Sequence, residues 1–355
     1  MQTTPIISRL LLSAIIASLA ACGGDGGESA TPAPAAPPPQ PPPDPPEDAS
    51  LATDGCTNVV IVADFAYAAC GSQIEVVSFA DLSRTLVDVA ADDITADTEL
   101  GLLFTQSQRT LNMLTLADPA NPAVVTTATT NLSAFSGVSA ANGILVVSGG
   151  AGGSNTQVFT YTDVGLNLTT DGIPAIDSAT GNPDVHLTAT ATGVTAYYSQ
   201  DIGSVANFAI QPVAINTAGE VTEIGADIVL ANASFDFDSA FSPANFPVES
   251  EFLDDQLFVA HFAAQGVEVI DTANGNVRLP IIGLPYEPTN IATDGSLLFV
   301  VGLSNATVDI IDPDAGAVTG SLSPSLPLSA PVGVAASLTF VAVADRANGL
   351  VLISR

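Results

Sequence analysis

Seven times along this chain, a short apolar run is followed across a small turn by a second one. Leu257-Phe258-Val259-Ala260-His261 with Gly266-Val267-Glu268-Val269-Ile270-Asp271 is one copy. Leu298-Phe299-Val300-Val301-Gly302 with Thr307-Val308-Asp309-Ile310-Ile311-Asp312 is another, and Thr339-Phe340-Val341-Ala342-Val343 with Gly349-Leu350-Val351-Leu352-Ile353 is the last. Earlier copies pair 65–68 with 74–77, 102–104 with 111–114, 144–147 with 157–160, and 195–198 with 208–210. The runs are rich in Val, Ile, Leu, Phe and Thr and are bounded by Gly, Asn, Asp and Pro, which reads as strands and turns. Successive copies begin roughly 40–60 residues apart, the length of one propeller blade with insertions.

A weaker run of small residues precedes each copy, as in Val138-Ser139-Ala140-Ala141 and Asn290-Ile291-Ala292-Thr293. Such a strand suits the crowded axis of a ring. One blade cannot bury both of its faces alone, whereas blades stacked radially bury all of them and leave short edges. The expectation is an all-β chain whose body, residues 51–355, is a β-propeller of seven four-stranded blades. A six-bladed ring and a pair of β-sandwiches are the alternatives. The last copy stops after its third strand, so Ser50-Leu51-Ala52-Thr53 is expected to supply the missing outer strand.

The stretch Leu114-Thr115-Leu116-Ala117-Asp118-Pro119-Ala120-Asn121-Pro122 resembles the LVIVD repeat of bacterial and archaeal surface propellers. Val267-Glu268-Val269-Ile270-Asp271 and Val308-Asp309-Ile310-Ile311-Asp312-Pro313 are similar to it and to the related YncE-type, YVTN-like surface propellers. Only one copy holds the full Asp-Pro-x-Asn-Pro turn, and the third and fourth copies depart from the pattern. The resemblance implies a fold and a surface location. It carries no catalytic motif, and a fold alone is not a function.

Residues 1–21 read as a targeting segment to be set apart from the fold. Arg9 precedes an apolar stretch too short to span a bilayer, which takes about 20 residues. Leu19-Ala20-Ala21-Cys22 resembles a bacterial lipobox, which implies cleavage before Cys22 and lipidation of Cys22. Gly23 at the second mature position implies the outer membrane, facing the periplasm or the cell surface. Several acyl chains give stable anchoring, at about 0.8 kcal/mol per buried CH₂. Residues 22–50 form a Gly- and Pro-rich linker, flexible and then extended as polyproline II.

The net charge of −31 comes from 37 acids against six basic residues, all of them arginine. Such a chain repels phosphate backbones, which argues against nucleic-acid partners. The 47% hydrophobic content argues against global disorder. Cys56 and Cys70 are expected to pair as a disulfide in an oxidising compartment. Acid clusters at 88–99, 236–238, 249–255 and 312–314 admit calcium, but none completes an EF-hand loop. Asp184, His186 and Glu249 are the candidate channel-mouth site; His261, inside a strand, reads as structural. The insertions at 163–182 and 231–249 are candidate contact loops, and Phe235, Phe237, Phe241 and Phe246 a candidate interface. The glycine run at 149–153 lacks the lysine of a phosphate loop and reads as a hairpin turn. Together these point to a lipid-anchored, non-enzymatic scaffold that binds an envelope or extracellular protein. The alternatives are a calcium or small-ligand module and a metal-dependent hydrolase of lactonase-like propeller type.

Overall fold

The structure is a computed structural model that describes residues 55–132, 135–149, 156–173, 184–201, 208–230 and 249–355. Within them the chain forms seven antiparallel sheets in sequence order. Blade one holds β1 (Asn58–Val62), β2 (Phe65–Cys70), β3 (Gln73–Ser78) and β4 (Arg84–Val87). Blade two holds β5 (Asp93–Asp97), β6 (Leu102–Ser107), β7 (Thr110–Thr115) and β8 (Ala123–Thr129). Blade three holds β9 (Phe135–Ala141), β10 (Ile144–Gly149), β11 (Thr156–Thr162) and β12 (Gly165–Asp171).

Blade four holds β13 (Val185–Thr190), β14 (Gly193–Asp201) and β15 (Phe208–Asn216), and its outer edge is split into β16 (Val221–Ile224) and β17 (Ile228–Val229). Blade five repeats that split: β18 (Ser250–Leu253), β19 (Gln256–His261) and β20 (Gly266–Asp271) are edged by β21 (Val277–Arg278) and β22 (Ile282–Gly283). Blade six holds β23 (Pro288–Thr293), β24 (Leu298–Gly302), β25 (Val308–Asp312) and β26 (Ala317–Leu322). Blade seven has three described strands, β27 (Pro331–Ala336), β28 (Phe340–Asp345) and β29 (Gly349–Ser354). Residues 1–54, with the expected targeting segment, linker and closing strand Ser50–Thr53, lie outside the described residues.

The second and third strands are continuous apolar runs because both of their faces are buried. In β24, Leu298 and Val300 pack against blade five, while Phe299 and Val301 pack against blade seven. In β6, Leu102 and Phe104 face blade three and Leu103 faces blade one. The seven apolar clusters fall one at each junction between neighbouring blades. The junction of blades seven and one is included, where Ala66 and Ala68 meet Ala335, Ala342, Ala344, Leu350 and Leu352. That junction closes the ring, and the sandwich alternative fails on it. Phe104, Phe258 and Phe299, all fully buried, each contribute about 1.5–3 kcal/mol.

Turn chemistry sets the hairpins. Asn142 and Gly143 both have positive φ, 51° and 76°, the geometry of the tight turn that suits twisted strands. The Asp118-Pro119-Ala120-Asn121-Pro122 turn is docked sideways onto blade one. Tyr67 Oη donates to the Pro119 carbonyl at 2.9 Å and Thr85 Oγ1 to the Ala120 carbonyl at 2.9 Å. Asp118 holds the turn itself, accepting from the Ala120 N–H at 3.2 Å and the Asn121 side chain at 3.2 Å. Its repeat signature is therefore a blade-to-blade bracket.

Candidate functional site

The first strand of every blade lines one central cavity of about 330 Å³. Its wall is mostly small or short side chains, such as Ala96, Ser139, Ala140, Ala292 and Ala335. Larger side chains, His186 and Glu251 among them, share the wall with these.

Where these strands begin, one position recurs. Pairing to the second strands puts Asn58, Asp93, Gly137, Asn290 and Gly333 in equivalent places. Asp184 and Glu249 join them, since their carbonyls accept from the Ser199 and Ala260 N–H groups in the same way. Three carboxylates, two amides and two glycines thus ring one end of the channel. A Cβ on Gly137 would overlap Asp184 Oδ1, so glycine is what lets Asp184 reach across blade three.

Asp93 works as a keystone. Its Oδ1 accepts from Asn58 Nδ2 of blade one at 2.6 Å and from its neighbour Ile94 N–H at 2.8 Å. Its Oδ2 accepts from the Val138 N–H of blade three at 2.9 Å. Burial still pushes its carboxyl up to about 6, because those three bonds offset desolvation only in part. Asp184 is raised by burial and then by the charge of Asp93. Glu249 is raised well above the carboxylate range by burial and by the charges of Asp184 and Asp93. A hydrogen bond joins Asp184 and Glu249, lowering the first and raising the second. The two buried carboxyls therefore favour holding a shared proton between them. No arginine among the described residues lines the cavity to neutralise this end.

The structure brings together two of the three residues singled out in the sequence, Asp184 and Glu249, and adds Asp93. His186 sits two residues further along β13 and faces Glu251, its Nε2 at 4.0 Å from Oε1. Burial raises Glu251, and the His186 charge opposes that. His261 is fully buried and pairs through Nδ1 with Glu268 Oε1 at 2.6 Å, while Glu268 Oε2 pairs with Arg278 at 3.0 Å. Phe235, Phe237, Phe241 and Phe246 lie outside the described residues, as do 174–183 and 231–248 of the two insertions. Among the described residues, the loop acids do not converge to metal-binding distance. The one trio of His, Cys, Asp or Glu ligand atoms within 4.8 Å of each other is Cys56, Cys70 and Glu75. Those cysteines are joined as a disulfide, which leaves no thiolate for a metal.

The disulfide spans 14 residues and ties the segment entering β1 to the end of β2. Loop entropy puts its worth at about 3 kcal/mol. Replacing both cysteines by serine is expected to lower the unfolding free energy in urea by that amount; an unchanged midpoint would show that the bond adds no stability.

A second repeated position was not singled out in the sequence, although six of the seven copies show it. The third strands carry Glu75, Asn112, Gln157, Gln211, Glu268, Asp309 and Val351 in one register. Six are polar amid apolar neighbours, and outer strands satisfy several of them. Arg84 meets Glu75 at 2.8 Å, Thr127 donates to Asn112 at 2.9 Å, and Gln157 donates to Asp171 at 2.9 Å. This polar stitch fixes the register of the outer strand on the third. The signal was legible as the second residue of Ile74-Glu75-Val76-Val77 and its counterparts.

No family model and no curated protein matches the chain. Solved structures do. Hydrazine synthase of Kuenenia stuttgartiensis is 14% identical with a TM-score of 0.61, over 85% of this chain and 96% of that one. The WD40 β-propeller domain of Doa1 is 12% identical with a TM-score of 0.59, over 87% and 97%. Virginiamycin B lyase from Staphylococcus aureus is 13% identical with a TM-score of 0.58, over 86% and 97%. At such identities the likeness shows the fold alone: this chain is a seven-bladed β-propeller.

Proposed function

We propose that this chain is a lipid-anchored envelope propeller of the LVIVD-repeat kind that acts as a non-enzymatic interaction scaffold. The observation that carries the reading is the closed ring, with an apolar core at every blade junction. A ring packed this way is stiff, and its loops vary without cost to the core. The lipobox-like segment ending at Cys22 and the linker after it supply the anchor and the spacer. A wild-type chain fed a labelled fatty acid in a Gram-negative host is expected to take up label and sediment with the outer membrane. The Cys22→Ser chain is expected to do neither. Equal labelling or equal sedimentation of the two overturns the anchor.

A second reading rests on the channel end. Asp93, Asp184 and Glu249 face one cavity whose described lining holds His186 but no lysine or arginine. A hard cation such as calcium takes carboxylate and amide oxygens of this kind. Their oxygens do not all lie within 4.8 Å of one another, so an ion there would be held partly through water. Calcium is expected to raise the melting temperature at pH 8, and Asp184→Asn to abolish the rise. The hydrolase reading is less supported, because His186 faces Glu251 instead of the Asp184–Glu249 pair.

A further inference from the structure

The two amides that ring the channel end are used differently. Asn58 is engaged on both sides: its Oδ1 accepts from the Val59 N–H at 2.8 Å and its Nδ2 donates to Asp93 Oδ1 at 2.6 Å. Asn290, at the same place in blade six, is engaged on one side. Its Oδ1 accepts from the Val334 N–H of blade seven at 3.3 Å, as Asp93 Oδ2 accepts from the Val138 N–H of blade three. That bond settles which way the amide points, because an N–H needs the oxygen. The Nδ2 of Asn290 meets no acceptor among the described residues, although the residue is only 5% exposed and lines the cavity.

A buried amide donor without an acceptor is costly, and such groups in folded proteins nearly always have one. The unused donor therefore points to an acceptor that enters the cavity. In ring order Asn290 stands beside Glu249, whose carboxyl is hydrogen-bonded to Asp184. The channel end thus offers carboxylate oxygens and, next to them, one amide donor.

We propose, resting on the reading of this end as a cation site, that the channel binds a small primary ammonium carrying a hydroxyl or carbonyl oxygen a few bonds away. The ammonium sits among Asp93, Asp184 and Glu249, and the oxygen accepts from Asn290 Nδ2. An ammonium suits these acids better than a bare metal ion. Calcium holds its oxygens at about 2.3–2.6 Å, and the three carboxylates do not bring theirs within 4.8 Å of one another. An ammonium donates three bonds of about 2.7–2.9 Å, so it reaches oxygens set further apart. A metal ion itself also brings no acceptor to Asn290. The carbon chain joining the two groups lies on small apolar side chains, Ala292 and Ala335 among them, which line the same cavity. A volume of about 330 Å³ is at the small end of ligand pockets, which run from about 300 to 1,000 Å³.

The test compares ethanolamine with propylamine, which has the same ammonium and the same number of heavy atoms but no acceptor. Both are titrated into the full chain by calorimetry at pH 8 and fixed ionic strength, with calcium chloride as a third titrant. The wild-type chain is expected to bind ethanolamine about three- to tenfold more tightly than propylamine, the effect of one hydrogen bond. Asp184→Asn is expected to lose both amines. Asn290→Ala is expected to keep propylamine binding and to erase the preference. Equal or reversed binding of the two amines by the wild-type chain overturns the proposal, and so does amine binding that survives Asp184→Asn. Calcium binding without amine binding overturns it and leaves the cation reading standing, whereas binding of none of the three overturns both. The preference is read on the unaltered chain, so a variant that misfolds does not shelter the proposal.

Discussion

In metal-free buffer, the ring is expected to resist urea better at pH 5 than at pH 8, and Glu249→Gln is expected to remove much of that difference. Asp93, Asp184 and Glu249 all have folded values raised above those of the unfolded chain. A raised acid binds its proton more tightly when folded. Its stabilisation is fully present below the unfolded value, about 4, and is lost as the pH climbs through the folded one. For Asp93, which rises from 3.8 to about 6, the loss is on the order of 3 kcal/mol. The Asp184–Glu249 pair adds loss of the same sign. The overall charge of −31 also favours unfolding at high pH, so the informative quantity is the difference between variant and wild type. Glu249→Gln keeps a donor for Asp184 and cannot ionise. It should therefore be the more stable protein at pH 8 and differ little at pH 4. Parallel profiles for the two would show that these acids are not held as described.

Arg84→Met is expected to cost about 3–5 kcal/mol, the toll of leaving a buried carboxylate without its cation. Glu75 is fully buried and Arg84 is 9% exposed, at 2.8 Å from it. The related pair in blade five behaves differently. Arg278 is 38% exposed, so losing it leaves a gap that water can enter, and Arg278→Met should cost clearly less. Replacing both members in blade one, Glu75→Leu with Arg84→Met, should recover most of the single-variant loss, because an apolar pair needs no desolvation. Urea unfolding of the four proteins reads all of this. A cost for Arg84→Met no larger than for Arg278→Met would contradict the burial argument.

The blades were legible because their second and third strands are buried on both sides. Leu298-Phe299-Val300-Val301 has no polar gap to hide it. The inner strands were weaker signals, since they mix small residues such as Ser139 and Ala140 into their runs. The channel end was half legible. Asp184 and Glu249 stood out beside a histidine and within an acid run, but Asp93 was one acid among several between Asp88 and Glu99. Its role depends on strand register, which places it level with Asn58 and Gly137 and which composition does not reveal. His186 was placed near the right end of the channel, yet the two-residue step along β13 carries it past Asp184 to Glu251. The polar series through Glu75 and Glu268 was present in every copy but one. A polar residue inside an apolar run takes its meaning from the outer strand that meets it, which the sequence alone does not place.

The scaffold reading is tested most directly by in-cell crosslinking of the tagged full-length protein, followed by isolation from outer membranes and mass spectrometry. An unrelated outer-membrane lipoprotein is the control. One reproducible partner in near-stoichiometric amount, with cross-links on the ring's loops, is the expected result. No partner above the control, from a protein that is folded and at the membrane, would contradict it.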